Sequence, residues 1–260
     1  MPEPEPDTGQ SLLLMVEPDA QSGSRNMAID EFLLESAIGS GLAAVRIYRW
    51  ETATVSLGYF QDVDAFRTSG NLSSLPAVRR LSGGGAILHD REITYSCVLP
   101  AGSPLLREPS VVYRIVHEAI LDILSEIGVT AGMRGSDHKL ADEPFLCFVR
   151  GDRNDILCDG HKVVGSAQRR RRGAVLQHGS VLLETSPHAP DIPGILDLNP
   201  GVSLPIDLAE RLGISISDRL SIEGLGAVSR VDHWPGDAAS DIARLTHERY
   251  ERLDWHTPQS

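Results

Sequence analysis

Three features of the sequence have residue types and spacings suited to chemistry: a glycine triplet behind paired arginines, a lysine on a short strand, and a cysteine between two apolar residues. The first is Arg79-Arg80-Leu81-Ser82-Gly83-Gly84-Gly85-Ala86-Ile87-Leu88-His89-Asp90. Successive glycines let backbone approach a ligand closely and turn N–H groups toward an anion or a carbonyl oxygen. The segment lacks the Gly-Lys-Ser/Thr ending of a phosphate-binding P-loop, and a strand follows it where a dinucleotide fold has a helix. Taken alone, it also describes a plain flexible hairpin.

The second feature is Asp159-Gly160-His161-Lys162-Val163-Val164-Gly165-Ser166-Ala167-Gln168, closely followed by Leu176-Gln177-His178-Gly179-Ser180. Strand alternation puts Lys162, Val164 and Ser166 on one face, with Gly165 leaving room between them. An ammonium so placed can meet a developing oxyanion, although an isolated lysine on a hairpin more often faces solvent. Among the cysteines, Cys97 lies in the alternating run Tyr95 to Leu99 and is expected in the core, while Cys158, at the mouth of the Asp159-Gly160 turn, is expected to be exposed. Cys147, between Leu146 and Phe148, is a candidate nucleophile or a core residue. His89 and His178 belong to these segments, whereas His117, His188, His233, His247 and His256 have no such context. No histidine pair has HExxH spacing, so no catalytic metal is expected.

These parts need a scaffold. Ile29, Phe32, Leu33, Ser36 and Ala37 recur with helical period after Ser24, leaving Asp30, Glu31 and Glu35 for the solvent side. Runs at Val45 to Trp50, Thr54 to Leu57, Ala77 to Arg80, Ala86 to His89 and Ile93 to Leu99 read as one sheet. Val112, Ile115, Val116, Ala119, Ile120, Ile123 and Ile127 predict a helix packed on it, which Ser110 can cap and Gly128 can end. Antiparallel strands follow at Phe145 to Val149, Asn154 to Cys158, His161 to Ala167 and Ala174 to Glu184, two of them joined by the Asp159-Gly160 turn. A Pro- and Gly-rich loop covers Ser186 to Pro205, and helical patterns resume at Ile206 to Leu212 and Asp241 to Leu253. Helices with a mostly antiparallel sheet make an α+β fold.

At 260 residues, 41% hydrophobic and 23% charged, the chain can bury a sizeable core without metals or disulfides. Residues 1–10, acidic and proline-rich, are expected to form a disordered tail, and 11–255 a single domain. A net charge of -12 argues against general nucleic-acid binding. Three cysteines without CxxC spacing fit a reducing cytoplasm better than a disulfide framework or a zinc site. The apolar run Leu12 to Val16 stops far short of the ~20 residues that span a bilayer, so no membrane partner is expected.

Arg79 to Asp90, Lys162 to Ala167 and His178-Gly179, preceded by Asn26-Met27-Ala28-Ile29-Asp30-Glu31, resemble in order and spacing the catalytic domain of the biotin/lipoate protein ligase family. The resemblance covers about 26–184 and implies that family's class II aminoacyl-tRNA synthetase-like fold. It implies further that the glycine turn and the lysine strand wall a tunnel for an acyl chain. Arg79, Arg80, Ser82, Gly83, Gly84, Gly85, His89, Gly165, Ser166, Ala167, His178 and Gly179 would then bind substrate, and Lys162 would contact the acyl carbonyl. Arg91-Glu92-Ile93-Thr94-Tyr95-Ser96, Gln168 and Leu176 to Ser180 look like the branch of cysteine-dependent octanoyltransferases, which carries its acyl-accepting nucleophile where this chain has Cys147. Arg153-Asn154-Asp155-Ile156 looks more like the lipoate-protein ligase A version.

On that resemblance Cys147 and Lys162 would be catalytic. An octanoyl or lipoyl group would pass from acyl carrier protein to a cysteine thioester, then to a lysine of a lipoyl domain such as glycine cleavage H protein or 2-oxoacid dehydrogenase E2. No cofactor is implied, since a thioester is already activated. The alternative is an ATP-dependent lipoate-protein ligase, using ATP with Mg, whose usual accessory domain is larger than the stretch after the proline-rich loop. A non-catalytic module for acylated carriers would need neither Cys147 nor Lys162. Arg169-Arg170-Arg171-Arg172 reads as a solvated hairpin loop or as a dock for acidic carrier domains.

Overall fold

The computed structural model describes residues 11–108, 110–136 and 144–255, so the expected tail at 1–10 lies outside the described residues. Strand β1 (Leu12–Val16) leads to helix α1 (Gly23–Gly39), whose start is capped by the Ser22 hydroxyl accepting the Arg25 N–H. β2 (Ala43–Tyr48), β3 (Thr54–Leu57), the short helix α2 (Val63–Arg67), β4 (Ala77–Arg79), β5 (Ile87–His89) and β6 (Glu92–Leu99) follow. Helix α3 (Val111–Glu126) precedes β7 (Gly132–Met133), β8 (Ile156–Cys158), β9 (His161–Arg171) and β10 (Ala174–Leu182). The chain continues through α4 (Ile195–Leu198), α5 (Leu208–Leu220), β11 (Val228–Arg230) and α6 (Ala238–Leu245).

Among the described residues the strands form two sheets. Eight run in the order β11-β1-β2-β6-β10-β9-β8-β7, parallel from β11 to β2 and antiparallel from β2 onward. The α+β architecture with a mostly antiparallel sheet is thus as expected. One sheet for 45–99 is not: β2 and β6 join the large sheet, while β3, β4 and β5 form a small one in the order β4-β3-β5. The small sheet has its own core, in which Val55, Leu57, Ala86 and Leu88 pack with Phe66 of α2 and Leu72.

Strand alternation divides the large sheet into two apolar faces. Ala43, Val45 and Ile47 of β2 and Ile93, Tyr95, Cys97 and Leu99 of β6 pack with α3 and α5, whereas Ala44, Tyr48 and Val98 pack with α1 and α6. On α3, the periodic residues Val112, Ile115, Val116, Ala119, Ile120 and Ile123 are all buried. Full burial of each large apolar side chain contributes ~1.5–3 kcal/mol, which is what seats the helix on the sheet. Gly128 (φ 84) turns the chain away after α3, but Ser110 makes no capping bond.

Long-range partners overrule four local expectations. Asp30 and Glu31, placed on the solvent side by period alone, are 1% and 3% exposed: Asp30 meets Arg46, Tyr48 and His178 of the sheet, and the chain around Arg249 and Tyr250 supplies Glu31 with an arginine and a phenol donor. Phe145 to Val149 is a 3-10 turn at Cys147–Val149, with a single bridge from Leu146 to Ala86, and not a strand. Cys158, expected to be exposed, is buried beside Asn199, whose amide donates to its sulfur at 3.2 Å. The four arginines are mostly strand: β9 runs through Arg171, and the turn is Arg172-Gly173 (φ 48 and 84).

Candidate active site

The glycine segment joins β4 to β5, and local geometry dictates two of its glycines, since a Cβ on Gly85 would meet Arg150 and the Phe145 carbonyl. Gly84 is left-handed (φ 92), and a Cβ on Gly58 would overlap the Gly84 carbonyl oxygen, so the two backbones interlock. Arg80 holds this arrangement from below. Its guanidinium donates to the carbonyls of Ser56 (2.8 Å), Gly83 (2.7 Å) and Gly85 (2.6 Å), and to the Ser82 hydroxyl (3.1 Å). Burial pulls the Arg80 pKa down to about 10, against the opposing effect of the nearby Cys147 sulfur. Arg79 is turned away from the segment: it donates to the carbonyls of Gly58 (2.9 Å), Gln61 (2.7 Å) and Leu253 (3.0 Å).

Cys147 hangs over the turn. Its N–H donates to the Ala86 carbonyl (2.7 Å), and the Ala86 N–H donates to the Phe145 carbonyl (2.8 Å), tying the 3-10 turn to the end of the glycine segment. The half-buried thiol lies 3.9 Å from where a Cβ on Gly84 would sit. Lys162 approaches the backbone of Cys147. Its Nζ is 3.5 Å from the Cys147 carbonyl oxygen, 5.2 Å over the Phe148 ring and 2.8 Å from Asp155 Oδ1. Burial raises the Asp155 pKa, and the Lys162 charge opposes that rise.

A bulge decides where Lys162 points. The β8–β9 register pairs Leu157 with Lys162 but Ile156 with Val164, and Val163 and Val164 both enter the core. The extra residue turns Lys162 onto the face of Gly165, where a Cβ would overlap the lysine stem. Strict alternation, which groups Lys162 with Val164 and Ser166, fails for this reason. Ser166 faces α3 instead. His117 Nδ1–H donates to the Asn154 carbonyl, so its neutral Nε2 accepts the Ser166 hydroxyl (2.6 Å), whose oxygen accepts from Tyr95 (2.6 Å). Burial pushes the His117 pKa down to about 4.

A second buried array lies behind the glycine turn. His178 Nδ1–H donates to Asp30 (2.8 Å), and its Nε2 accepts the hydroxyl of Ser82 (2.5 Å). His89, stacked on Trp50 at 3.8 Å, donates through Nδ1 to Glu92 (2.7 Å) and accepts the Ser56 hydroxyl (2.7 Å). Burial lowers the His89 pKa, with Glu92 opposing. Arg80, Ser56, His89 and His178, with Met27, Tyr48, Ile87 and Gly179, line a narrow, mostly apolar pocket.

The structure therefore gathers Cys147, Lys162, Gly165 and Gly83 to Gly85, braced by Arg80 and Ser82, next to a cavity holding His89, His178 and Gly179. Ala167 pairs across the sheet with His178. Arg79 and Ser166 are directed elsewhere. Asp155, His117, Asp30 and Glu92 complete the site's hydrogen bonding and were missed in the sequence. Asp155 had a signal in the Asn154-Asp155 pair and Asp30 in the Asn26 to Glu31 motif, although its partner His178 lies 148 residues away; His117 had none, its partner Ser166 lying 49 residues away. Among the described residues no three metal-ligating side chains gather.

Comparison with known proteins follows the same lines. Residues 22–192 match the family model of the lipoyl protein ligase A/B catalytic domain. Octanoyltransferase LipM of Moorella thermoacetica is 41% identical over 174 residues, 61% of this chain and 60% of that protein. Octanoyltransferase LipM of Lysinibacillus sphaericus is 37% identical over 177 residues, 63% of each chain, and that of Kyrpidia tusciae 36% identical over 65% of each. The chain thus matches less than two thirds of the length of these relatives. Two solved structures share the fold: lipoate-protein ligase A bound with ATP (TM-score 0.66, 22% identity, 96% of this chain and 98% of that one) and the bi-partite lipoate protein ligase of Thermoplasma acidophilum (TM-score 0.66, 21% identity, 95% and 96%). On the extent of the family match, 171 of 260 residues, the chain belongs to the lipoyl protein ligase A/B catalytic domain family.

Proposed function

We propose that the protein is an octanoyltransferase of protein lipoylation, acting through a thioester on Cys147. The observation that carries this reading is the half-buried thiol set against Gly84, with the Lys162 ammonium 3.5 Å from the Cys147 carbonyl oxygen and Arg80 joining Gly84 to the pocket that His89 and His178 line. The relatives named octanoyltransferase support it. Cys147 sulfur attacks the carbonyl carbon of an octanoyl thioester on acyl carrier protein, the carrier's C–S bond breaks, and the thiol proton leaves with the carrier sulfur. Splitting one transfer into two is what a protein nucleophile offers. Lys162, held by Asp155, stabilises the oxyanion in each step, and the acyl chain occupies the cavity beside His89 and His178.

The acceptor is a lysine of a lipoyl domain, of glycine cleavage H protein or of a 2-oxoacid dehydrogenase; the Thermoplasma ligase of similar fold belongs to a lipoylation system with an E2 lipoyl domain. No nucleotide or metal takes part in this scheme. No described helix is long and apolar enough to cross a membrane, and the free cysteines fit a reducing cytoplasm as the site of action.

The test is direct. Incubated with octanoyl carrier protein and no nucleotide, the wild-type protein gains an octanoyl mass increment that hydroxylamine removes, and Cys147→Ala does not. A Cys147→Ala protein that transfers octanoyl normally would falsify the reading, and a requirement for ATP in the same assay replaces it with the ligase.

A further inference from the structure

Strand β9 outruns its outer neighbour. β8 pairs with it only over His161–Val164, and among the described residues no strand covers that side of Gly165 to Arg171. The tight turn at Arg172-Gly173 makes Arg171 and Ala174 a hydrogen-bonded pair. By the alternation of an antiparallel ladder, Arg169, Ala167 and Gly165 then bond to β10, while Arg170, Gln168 and Ser166 turn their main-chain N–H and C=O groups outward. The Gln168 backbone meets the Tyr113 hydroxyl, whereas the main-chain groups of Ser166 and Arg170 have no partner among the described residues. Lys162 to Gly165 are buried, but from Ser166 to Arg171 the strand is half-buried or exposed.

This edge begins at the nucleophile. Lys162 Nζ, 3.5 Å from the Cys147 carbonyl oxygen, lies 2.9 Å from where a Cβ on Gly165 would sit, and Ser166 is the next residue. Charge is divided along the edge. At the near end the exposed Asp152 stands close enough to Tyr113 and His117 to act on both electrostatically. At the far end Arg170 and Arg172 are exposed, while Arg171 pairs with Glu35 and Arg169 lies over Tyr59.

We infer that the lysine-bearing segment of the acceptor domain docks on this edge as an added strand, an inference that rests on the acyl-transfer reading of the site. A lysine amine lies on the order of 6 Å from its own Cα, so the acceptor's main chain has to pass close to Cys147. Ser166 offers it hydrogen bonds there, and at ~3.3 Å per residue Arg170 offers more about 13 Å farther on. In strand addition the main chain supplies affinity and the side chains supply selection. Asp152 favours a cation at the near end, and Arg170 and Arg172 favour acids along the rest of the segment. A second copy of this chain fits less well, because pairing two such edges brings two rows of arginines into one short interface.

The first measurement is amide hydrogen exchange of the intact protein with and without a saturating apo lipoyl domain of a 2-oxoacid dehydrogenase. The Ser166 and Arg170 amides should slow at least ~10-fold on binding. Unchanged exchange overturns the inference, as does equal protection by acyl carrier protein or by raising the protein concentration alone. The second measurement separates main chain from charge. Arg170→Pro removes an outward N–H at a position where an edge strand tolerates proline, and Arg170→Ser removes the charge alone. The lipoyl-domain concentration for half-maximal transfer should be at least ~5-fold higher in Arg170→Pro than in Arg170→Ser, with octanoyl loading of Cys147 equal in the two. Equal acceptor dependence overturns the inference; unequal loading marks damage to the site, and the exchange result then decides. Protection by the lipoyl domain in a protein that never forms an octanoyl adduct refutes the acyl-enzyme and leaves the docking edge standing.

Discussion

Removing Lys162 and then its counter-ion separates chemistry from packing. Lys162 and Asp155 lie 2.8 Å apart with side chains 4% and 3% exposed. At an effective dielectric of ~20 their gross attraction is about 6 kcal/mol, and deleting one partner of a buried pair costs about 3–5 kcal/mol net. Lys162→Met should fall near the low end, about 3 kcal/mol, because burial already raises the Asp155 pKa and the orphaned acid can take up a proton. The double variant Lys162→Met/Asp155→Asn removes both charges of the pair, keeps an acceptor for the Asp152 N–H, now at 2.7 Å, and leaves a carboxamide oxygen for Arg134 Nε, now 3.7 Å from the carboxylate. Its stability should return to within ~1 kcal/mol of wild type, read as the urea midpoint at unchanged slope. Acyl transfer should not return. Both variants are expected to lose at least ~100-fold, the scale of one oxyanion donor, in single-turnover transfer from octanoyl carrier protein. If activity recovers along with stability in the double variant, Lys162 is a structural residue and the catalytic assignment is refuted.

Other consequences are open to simpler measurements. Arg169 stacks on Tyr59 (4.8 Å) and Arg171 pairs with Glu35, whereas Arg170 and Arg172 are exposed; Arg170→Ser/Arg172→Ser should raise the KM for acidic carriers and flatten its salt dependence, and an unchanged salt profile leaves them as plain surface. His117 is held neutral, its pKa lowered to about 4 from an ordinary ~6.5, so its contribution is complete above ~6.5 and is lost as pH falls toward 4, about 3 kcal/mol in all. His117→Gln should flatten the fall in thermal stability across that window, and an unaltered pH profile counts against the assignment. Gly58→Ala forces a methyl into the Gly84 carbonyl and should cost ~1–3 kcal/mol while slowing Cys147 acylation; calorimetry and loading rates that match wild type would contradict the interlock. Cys97→Ala and Cys158→Ala should still form the octanoyl adduct with modest stability losses, since both thiols are buried and burial pushes that of Cys97 up to about 12.

What was legible in the sequence was what local geometry decides. The Asp159-Gly160 hairpin shows because its turn needs two residues with positive φ, here 46 and 77, and α3 shows because its apolar period is unbroken. The glycine segment stood out for a related reason: Gly84 has a positive φ, and a Cβ on Gly85 would meet Arg150 and the Phe145 carbonyl. Illegible features were those a distant partner imposes. Nothing near Glu31 announces Arg249, so an acid on an amphipathic helix reads as solvated. The bulge at Val163 leaves no mark in a run of β-branched residues, yet it reverses the direction of the lysine. Phe145 to Val149 has strand composition, but its backbone partner is the end of the glycine segment and not a sheet edge.

The clasp between the first helix and the end of the described chain also bears on how the protein is made. Leu253 holds Arg79 across 174 residues, and Arg249 and Tyr250 reach Glu31 across 218 and 219. Synthesis proceeds at ~5–20 residues per second, so once Cys147 and Lys162 have been added, the stretch to Leu253 takes several seconds more. During that interval Glu31 has neither of its donors and the guanidinium of Arg79 lacks one of its carbonyls. The nascent chain therefore carries its thiol and its lysine before it owns the contacts that brace α1 and the base of the glycine turn. Those contacts can form only after residues 249 to 253 have been added and have left the ribosome.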